Sequence, residues 1–141
     1  MMRFLACLLL VTAIVGCGYA KSGTWDDDAG NWERVFGEEK PDSVVLVHSR
    51  YWRGPHFTME FAYFLEIEKN TDLQARLFKN NKLRRLEGDA ASSSHFGEKP
   101  AWFLPKSTED YDVWTYEDPP RTFRLFIDRE TGEIFMSDYQ V

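Results

Sequence analysis

Apolar and polar side chains alternate most clearly along two neighbouring stretches, 43–53 and 56–68, separated by Arg53-Gly54-Pro55. In the second stretch Phe57, Met59, Phe61, Tyr63, Leu65 and Ile67 form an apolar row. Their neighbours Thr58, Glu60, Glu66 and Glu68 are polar, with Ala62 and Phe64 as exceptions. A period of two with one apolar row predicts a strand with one buried face. A three-residue loop at 53–55 would set Val45, Val47, Ser49 and Tyr51 opposite Tyr63, Phe61, Met59 and Phe57. A slip of one residue would instead bring Trp52, Arg50, His48 and Leu46 onto that row, so the first register is expected. This hairpin is the expected centre of the fold.

Acidic residues at 26–28, then Asn31-Trp32-Glu33-Arg34-Val35-Phe36 and Gly37, predict a short helix with Asp28 as N-cap and Gly37 as C-cap. The three aspartates lack the spacing and distal glutamate of a calcium loop, which favours the capping role. Residues 70–87 are rich in Leu, Arg, Lys and Gln and predict a second helix, capped by Asn70 or Thr71 and open to a break at Asn80-Asn81. The stretch from Glu87 to Pro100, with Gly88, Ala90, Ala91, Ser92, Ser93, Ser94 and Gly97, reads as a flexible surface loop. Three strands follow, over 111–116, 121–127 and 134–137, and Thr131-Gly132 marks the turn between the last two. The expected fold is α+β: a single domain with a mainly antiparallel sheet of about five strands and two short helical segments.

The N-terminus changes the picture. Met1-Met2-Arg3 is followed by a twelve-residue apolar run, 4–15. That is short of the ~20 residues a membrane-spanning helix needs, and fits the apolar region of a secretory signal. The run ends in Ile14-Val15-Gly16-Cys17, which resembles the lipobox of bacterial lipoproteins. The resemblance covers these four residues and the stretch before them. It implies that residues 1–16 are removed and that Cys17 is acylated as the first mature residue, anchoring the chain in the bacterial envelope. Gly18, where lipoproteins held at the inner membrane of Gram-negative cells commonly carry Asp, leans towards the outer membrane. A rival reading is a soluble secreted product cut after Gly18-Tyr19-Ala20, before Lys21. On the lipoprotein reading 17–28 is a tether and 29–141 the globular domain. Cys7 is lost with the signal and Cys17 consumed, so the mature domain has no thiol or disulfide.

Composition then narrows the function classes. The chain has a net charge of −6, with 16% aromatic residues, enough to bury a core and exclude a disordered acidic tail. Its acidity argues against nucleic acid as a partner. The sharpest cluster of chemistry lies at the hairpin tip, where His48, Arg50, Trp52, His56, Thr58 and Glu60 share the face away from the apolar row. Arg supplies a fork for an anion and Trp a stacking platform. In the expected register His48 faces Glu60, a pair that could orient an imidazole for acid–base work. Yet there is no GxSxG, no HxxxH, no CxxC and no glycine-rich phosphate loop, and His56-Phe57-Thr58 is half of a two-histidine phosphoesterase pattern whose second copy is missing. No metal or cofactor is expected. Trp102, in Trp102-Phe103-Leu104-Pro105, is a further candidate anchor or else a plug at one end of the core. Lys79, Lys82, Arg84 and Arg85 form a basic stretch expected on the second helix, facing solvent or anionic lipid. The acidic C-terminal half could steer a basic partner.

The resulting expectation is a lipid-anchored, non-enzymatic binding, adaptor, inhibitor or immunity-type module, engaging an envelope protein or a small anionic ligand through Arg50, Trp52, His56, His48, Glu60 and Trp102. The alternatives are a small hydrolase using His48 with Glu60, and a purely structural envelope component.

Overall fold

A computed structural model describes residues 21–55, 59–92, 95–118 and 122–141. Seven strands make one antiparallel sheet: β1 (Gly23–Asp26), β2 (Leu46–Arg53), β3 (Phe61–Ile67), β4 (Leu83–Leu86), β5 (Tyr111–Tyr116), β6 (Arg124–Asp128) and β7 (Ile134–Gln140). Their spatial order is β1-β2-β3-β7-β6-β5-β4. Helix α1 (Asn31–Phe36) follows β1, and α2 (Thr71–Asn80) follows β3. The α+β architecture with a single antiparallel sheet is as expected, but among the described residues there are seven strands rather than about five.

Both faces of the sheet are covered. On one, Trp32, Val35 and Phe36 of α1 and Leu73, Leu77 and Phe78 of α2 pack on Tyr63, Leu65, Ile67, Leu125, Ile134 and Met136. On the other, Phe64, Val113, Phe126 and Phe135 lie beneath Ala91, Phe103 and Leu104 from the segment joining β4 to β5. Described residues 87–92 and 95–110 form a lid in place of the expected flexible loop, with 3-10 turns at Gly88–Ala91 and Thr108–Asp110. Ala62 and Phe64, the two breaks in the alternation of β3, face this lid side, because a central strand covered on both faces is apolar on both.

Three corrections follow from the chain's local chemistry. Residues 23–26, expected to belong to the tether, pair with β2 as an edge strand, Trp25 across from Tyr51. The second helix ends at Asn80, and the basic stretch divides: Lys79 is helical, while Arg84 and Arg85 stand on β4 between Leu83 and Leu86. Finally, β2 and β3 pair six residues away from the expected register, with Tyr51 across from Tyr63 and Ser49 across from Leu65. The connection is wider than 53–55 and closes where Gly54 N donates to Glu60 O at 3.1 Å. A bulge between Leu46 and His48 keeps Leu46 on the helix side and turns Val47 outward. An even shift preserves faces, so His48, Arg50 and Trp52 still share one.

Asn31 locks α1 to the sheet. It is fully buried, and its Nδ2 donates to Trp25 O at 2.9 Å and to Ser49 Oγ at 3.0 Å. Its Oδ1 accepts from Arg34 at 2.7 Å. Asp28 is not the expected N-cap: Gly30 holds that position without a side-chain cap, Asp28 Oδ1 instead accepts from Gly30 N at 2.9 Å, and Gly37 closes the helix as expected at φ 68°. Replacing Asn31 with Ala orphans buried groups on two strands and is expected to cost about 1–3 kcal/mol. Urea denaturation checks this, and an unchanged midpoint would show the network to be dispensable.

Candidate functional site

Adjacent sheet rows set the site out on the lid face. One row runs Asp26, Arg50, Phe64, Ser137, and the next runs Thr24, Trp52, Ala62, Tyr139. Arg50 is held by its edge-strand neighbour, its Nε donating to Asp26 Oδ1 at 2.5 Å. Trp52 is covered by Phe96 of the lid, with ring centroids 5.2 Å apart, and Phe96 reaches on towards Tyr139 at 6.4 Å. His95 approaches the edge of Phe64 at 6.2 Å. Small Ala62 leaves a depression between Trp52 and Tyr139, and the lid roofs it. The result is a cleft of about 200 Å³ lined by Thr24, Arg50, Trp52, Phe64, Phe96 and Glu98.

His48 stands one row further along and is engaged differently. Its Nδ1 lies 3.3 Å from both carboxylate oxygens of Asp27, a long, divided contact. Its ring stacks on Trp102, centroids 5.4 Å apart and planes 25° off parallel. Asp27 is fixed in turn: its Oδ1 accepts from Ser49 N at 2.9 Å, and its own N–H donates to Ser49 O at 2.7 Å. Glu66, not Glu60, is the residue across from His48. Burial raises the Glu66 carboxyl above its ordinary pKa, an effect tempered by the nearby imidazole. The expected His48–Glu60 pair is therefore not formed. Glu60 lies at the far end of the hairpin, over Gly54, where an added Cβ would meet its Oε2 at 2.5 Å and the Trp52 ring at 3.2 Å.

Of the residues singled out from the sequence, Arg50 and Trp52 line the cleft, with Glu60 beside Trp52. His48 and Trp102 form a separate stacked pair on the same face. His56 lies outside the described residues, as does Cys17. The sequence reading missed Asp26, Asp27, Phe96 and Glu98. In the sequence the three aspartates are equivalent helix-start charges, yet each has its own partner: Arg50 for Asp26, His48 for Asp27 and Arg34 for Asp28. The available signal was the Gly23-Thr24-Trp25-Asp26 alternation, four residues long and too short to stand out.

Two other cavities are larger. One of about 560 Å³ lies between the 3-10 turns, but Arg85 and Arg129 at its wall are both spent on Asp112, at 2.6 and 3.0 Å. Glu87, Asp89 and Glu109 also line it, so its charge is mixed and its cations are occupied. The second, about 260 Å³, is a gap between α1 and α2 floored by Tyr63, Phe123 and Met136, and bridged at its rim by Arg76 and Glu38 at 3.0 Å. The Arg50–Trp52 cleft differs from both in setting a guanidinium, held through Nε by Asp26, against aromatic rings from the hairpin and from the lid. Among the described residues no group of three or more His, Cys, Asp or Glu side chains is placed to hold a metal ion. Compared with known proteins, the chain matches no family model, no curated protein and no solved structure.

Proposed function

We propose that this chain is a lipid-anchored envelope protein that binds rather than transforms its ligand, using the cleft of Arg50 and Trp52 beneath the lid. One observation carries the binding reading. Arg50 and Trp52, from the hairpin, meet Phe96 and Glu98, more than forty residues away in sequence, around one cavity. An aromatic-walled slot with one oriented guanidinium is built to hold a ligand. His48, by contrast, is stacked on Trp102 and paired with Asp27, away from that slot. The anchor rests on the Ile14-Val15-Gly16-Cys17 resemblance.

Two experiments test the two halves. Cells given a clickable fatty acid should label the wild-type chain, while Cys17→Ala should lose the label and leave the membrane fraction. Label retained by Cys17→Ala would remove the anchor from the proposal. For binding, the tagged full chain should retain a stoichiometric ligand or partner on gentle solubilisation. Arg50→Ala and Trp52→Ala should lose it, and His48→Gln should keep it. Equal retention by Trp52→Ala would place binding elsewhere.

A further inference from the structure

We propose that the cleft receives the carboxyl end of an α-amino acid: its carboxylate on the Arg50 fork, its apolar or aromatic side chain against Trp52 and Phe96, and its N–H towards Glu98. This rests on the cleft being the binding site, and adds the class of ligand.

Size sets the first limit. At about 200 Å³ the cavity is below the ~300–1,000 Å³ of sites that enclose drug-sized ligands, so it accepts one residue-sized group. Charge sets the second. Asp26 takes Arg50 Nε and thereby fixes the guanidinium plane, and among the described residues the two terminal nitrogens make no hydrogen bond. That edge presents two parallel N–H donors, the geometry that matches a carboxylate. A phosphate would fit the fork equally well, but its extra negative charge would sit between Asp26 and Glu98 with a single arginine to offset three anions. A singly charged carboxylate faces less repulsion. A quaternary ammonium group would meet the Arg50 charge. Glu98, at the same cleft, favours a ligand with an N–H or ammonium beside its carboxylate, since unpaired carboxylates repel an anion that brings no donor. The rings of Trp52, Phe96 and Phe64 supply flat apolar walls for a side chain.

Two sources carry this chemistry, a free amino acid and the C-terminal residue of a peptide. They differ only at the α-nitrogen.

Calorimetric titration of the full chain in neutral detergent separates them, using phenylalanine, the tripeptide Gly-Gly-Phe and its C-terminal amide. At least one of the first two should bind, and the amide should bind at least tenfold more weakly than the free tripeptide if the tripeptide binds. Binding of phenylalanine alone identifies a free amino acid; binding of the tripeptide alone identifies a chain terminus. Arg50→Lys keeps a cation beside Asp26 but removes the fork, and should weaken binding tenfold or more with unchanged thermal melting. Thr24→Trp, at an exposed position on the cleft wall, should block the site in a folded protein. Equal binding of the amide, indifference to Arg50→Lys, or no binding of phenylalanine or the tripeptide would each overturn this assignment. If neither probe binds but Trp52→Ala still abolishes the capture described above, the cleft stands as the binding site and only the ligand class falls.

Discussion

Phe103→Ala is expected to lower stability by about 3–5 kcal/mol, the range for truncating a fully buried aromatic ring. Phe103 has no exposed surface, although it comes from a segment without strands. Its ring meets Phe64, Phe135 and Phe126 edge-on, at centroid distances of 4.9, 5.8 and 6.1 Å. Such edge-to-face pairs add to the area term. The site cannot collapse easily onto the missing ring. Leu104 is held at φ 51°, and Lys99 clamps the turn by donating to Phe103 O at 2.6 Å, so the backbone resists moving inward. For a domain of this size the melting temperature should fall by roughly 10 °C or more. Amide exchange should accelerate first across 87–110, because the lid is attached to the sheet chiefly by Phe103, Leu104, Ala91 and Trp102. A drop of less than about 3 °C would mean that the lid is secured elsewhere.

This substitution reaches the cleft without touching it. Phe96 and Glu98 lie a few residues before Phe103 on the same segment, and Trp102, adjacent to it, stacks on His48. A loosened lid should therefore weaken ligand capture as well as stability. A variant that is destabilised yet binds as wild type would show that the hairpin side of the cleft suffices.

How much of this was legible in the sequence follows from periodicity. β5 is legible at its observed limits, since a run such as Tyr111–Tyr116 alternates cleanly, and α1 at its C-terminal end, where Gly37 stops the helix; its start is not, because Gly30 and not Asp28 is the N-cap. The hairpin's faces are legible over 49–53 and 61–67 but not at its ends, where Val45, Val47 and Met59, expected on the core row, are exposed, and its register is not legible. Alternation excludes a one-residue slip and is blind to an even one, and only the loop length, unknown from the sequence, separates the two. β4 was hidden because Leu83-Arg84-Arg85-Leu86 spaces its leucines three apart, which suits a helix as well as a strand crossing from one core to the other. The second core is signalled only by Ala62 and Phe64, two exceptions to an alternation that otherwise points to one buried face. The lid was hidden by composition: Ser and Gly dominate its first half, while its anchors, Phe103 and Leu104, come at the end. The cleft was half legible as a result. Arg50 and Trp52 were found on β2, whereas Phe96 and Glu98 needed the lid to be folded back over the sheet.

The second large effect lies at the turn between β6 and β7, where Asp128 is buried with its side chain 1% exposed. Its Oδ1 accepts from Glu130 N at 2.8 Å and Thr131 N at 3.0 Å, and its Oδ2 pairs with Lys106 Nζ at 2.9 Å. Lys106 comes from the lid, so this carboxylate joins the hairpin turn to the segment that roofs the cleft. Burial alone would raise the Asp128 carboxyl. The Thr131 N–H, the Lys106 ammonium and the Glu130 N–H outweigh it, and the group titrates below its ordinary value. A lowered carboxyl contributes stability that is fully present above the unfolded pKa of ~3.9 and is lost as pH falls through the folded value. Lys106 is shifted the other way, raised above 10.5 chiefly by its hydrogen bonds to Asp128 and Glu130. Its contribution is present below the unfolded value and is lost only as pH rises through the folded one. Both therefore act together across the neutral range. Asp128→Ala strands two turn N–H groups and an ammonium, and is expected to cost about 3 kcal/mol at pH 7, the lower end for a broken buried pair because Lys106 is partly solvated and keeps Glu130. Asp128→Asn retains an acceptor for the turn and should cost less, about 1–2 kcal/mol. The decisive readout is the pH profile. Urea midpoints of the wild type should fall between pH 5 and pH 3 more steeply than those of Asp128→Asn, whose penalty should shrink as the wild-type carboxyl becomes protonated. Parallel profiles would assign the acid sensitivity to other carboxylates and leave Asp128 as a turn-forming residue alone.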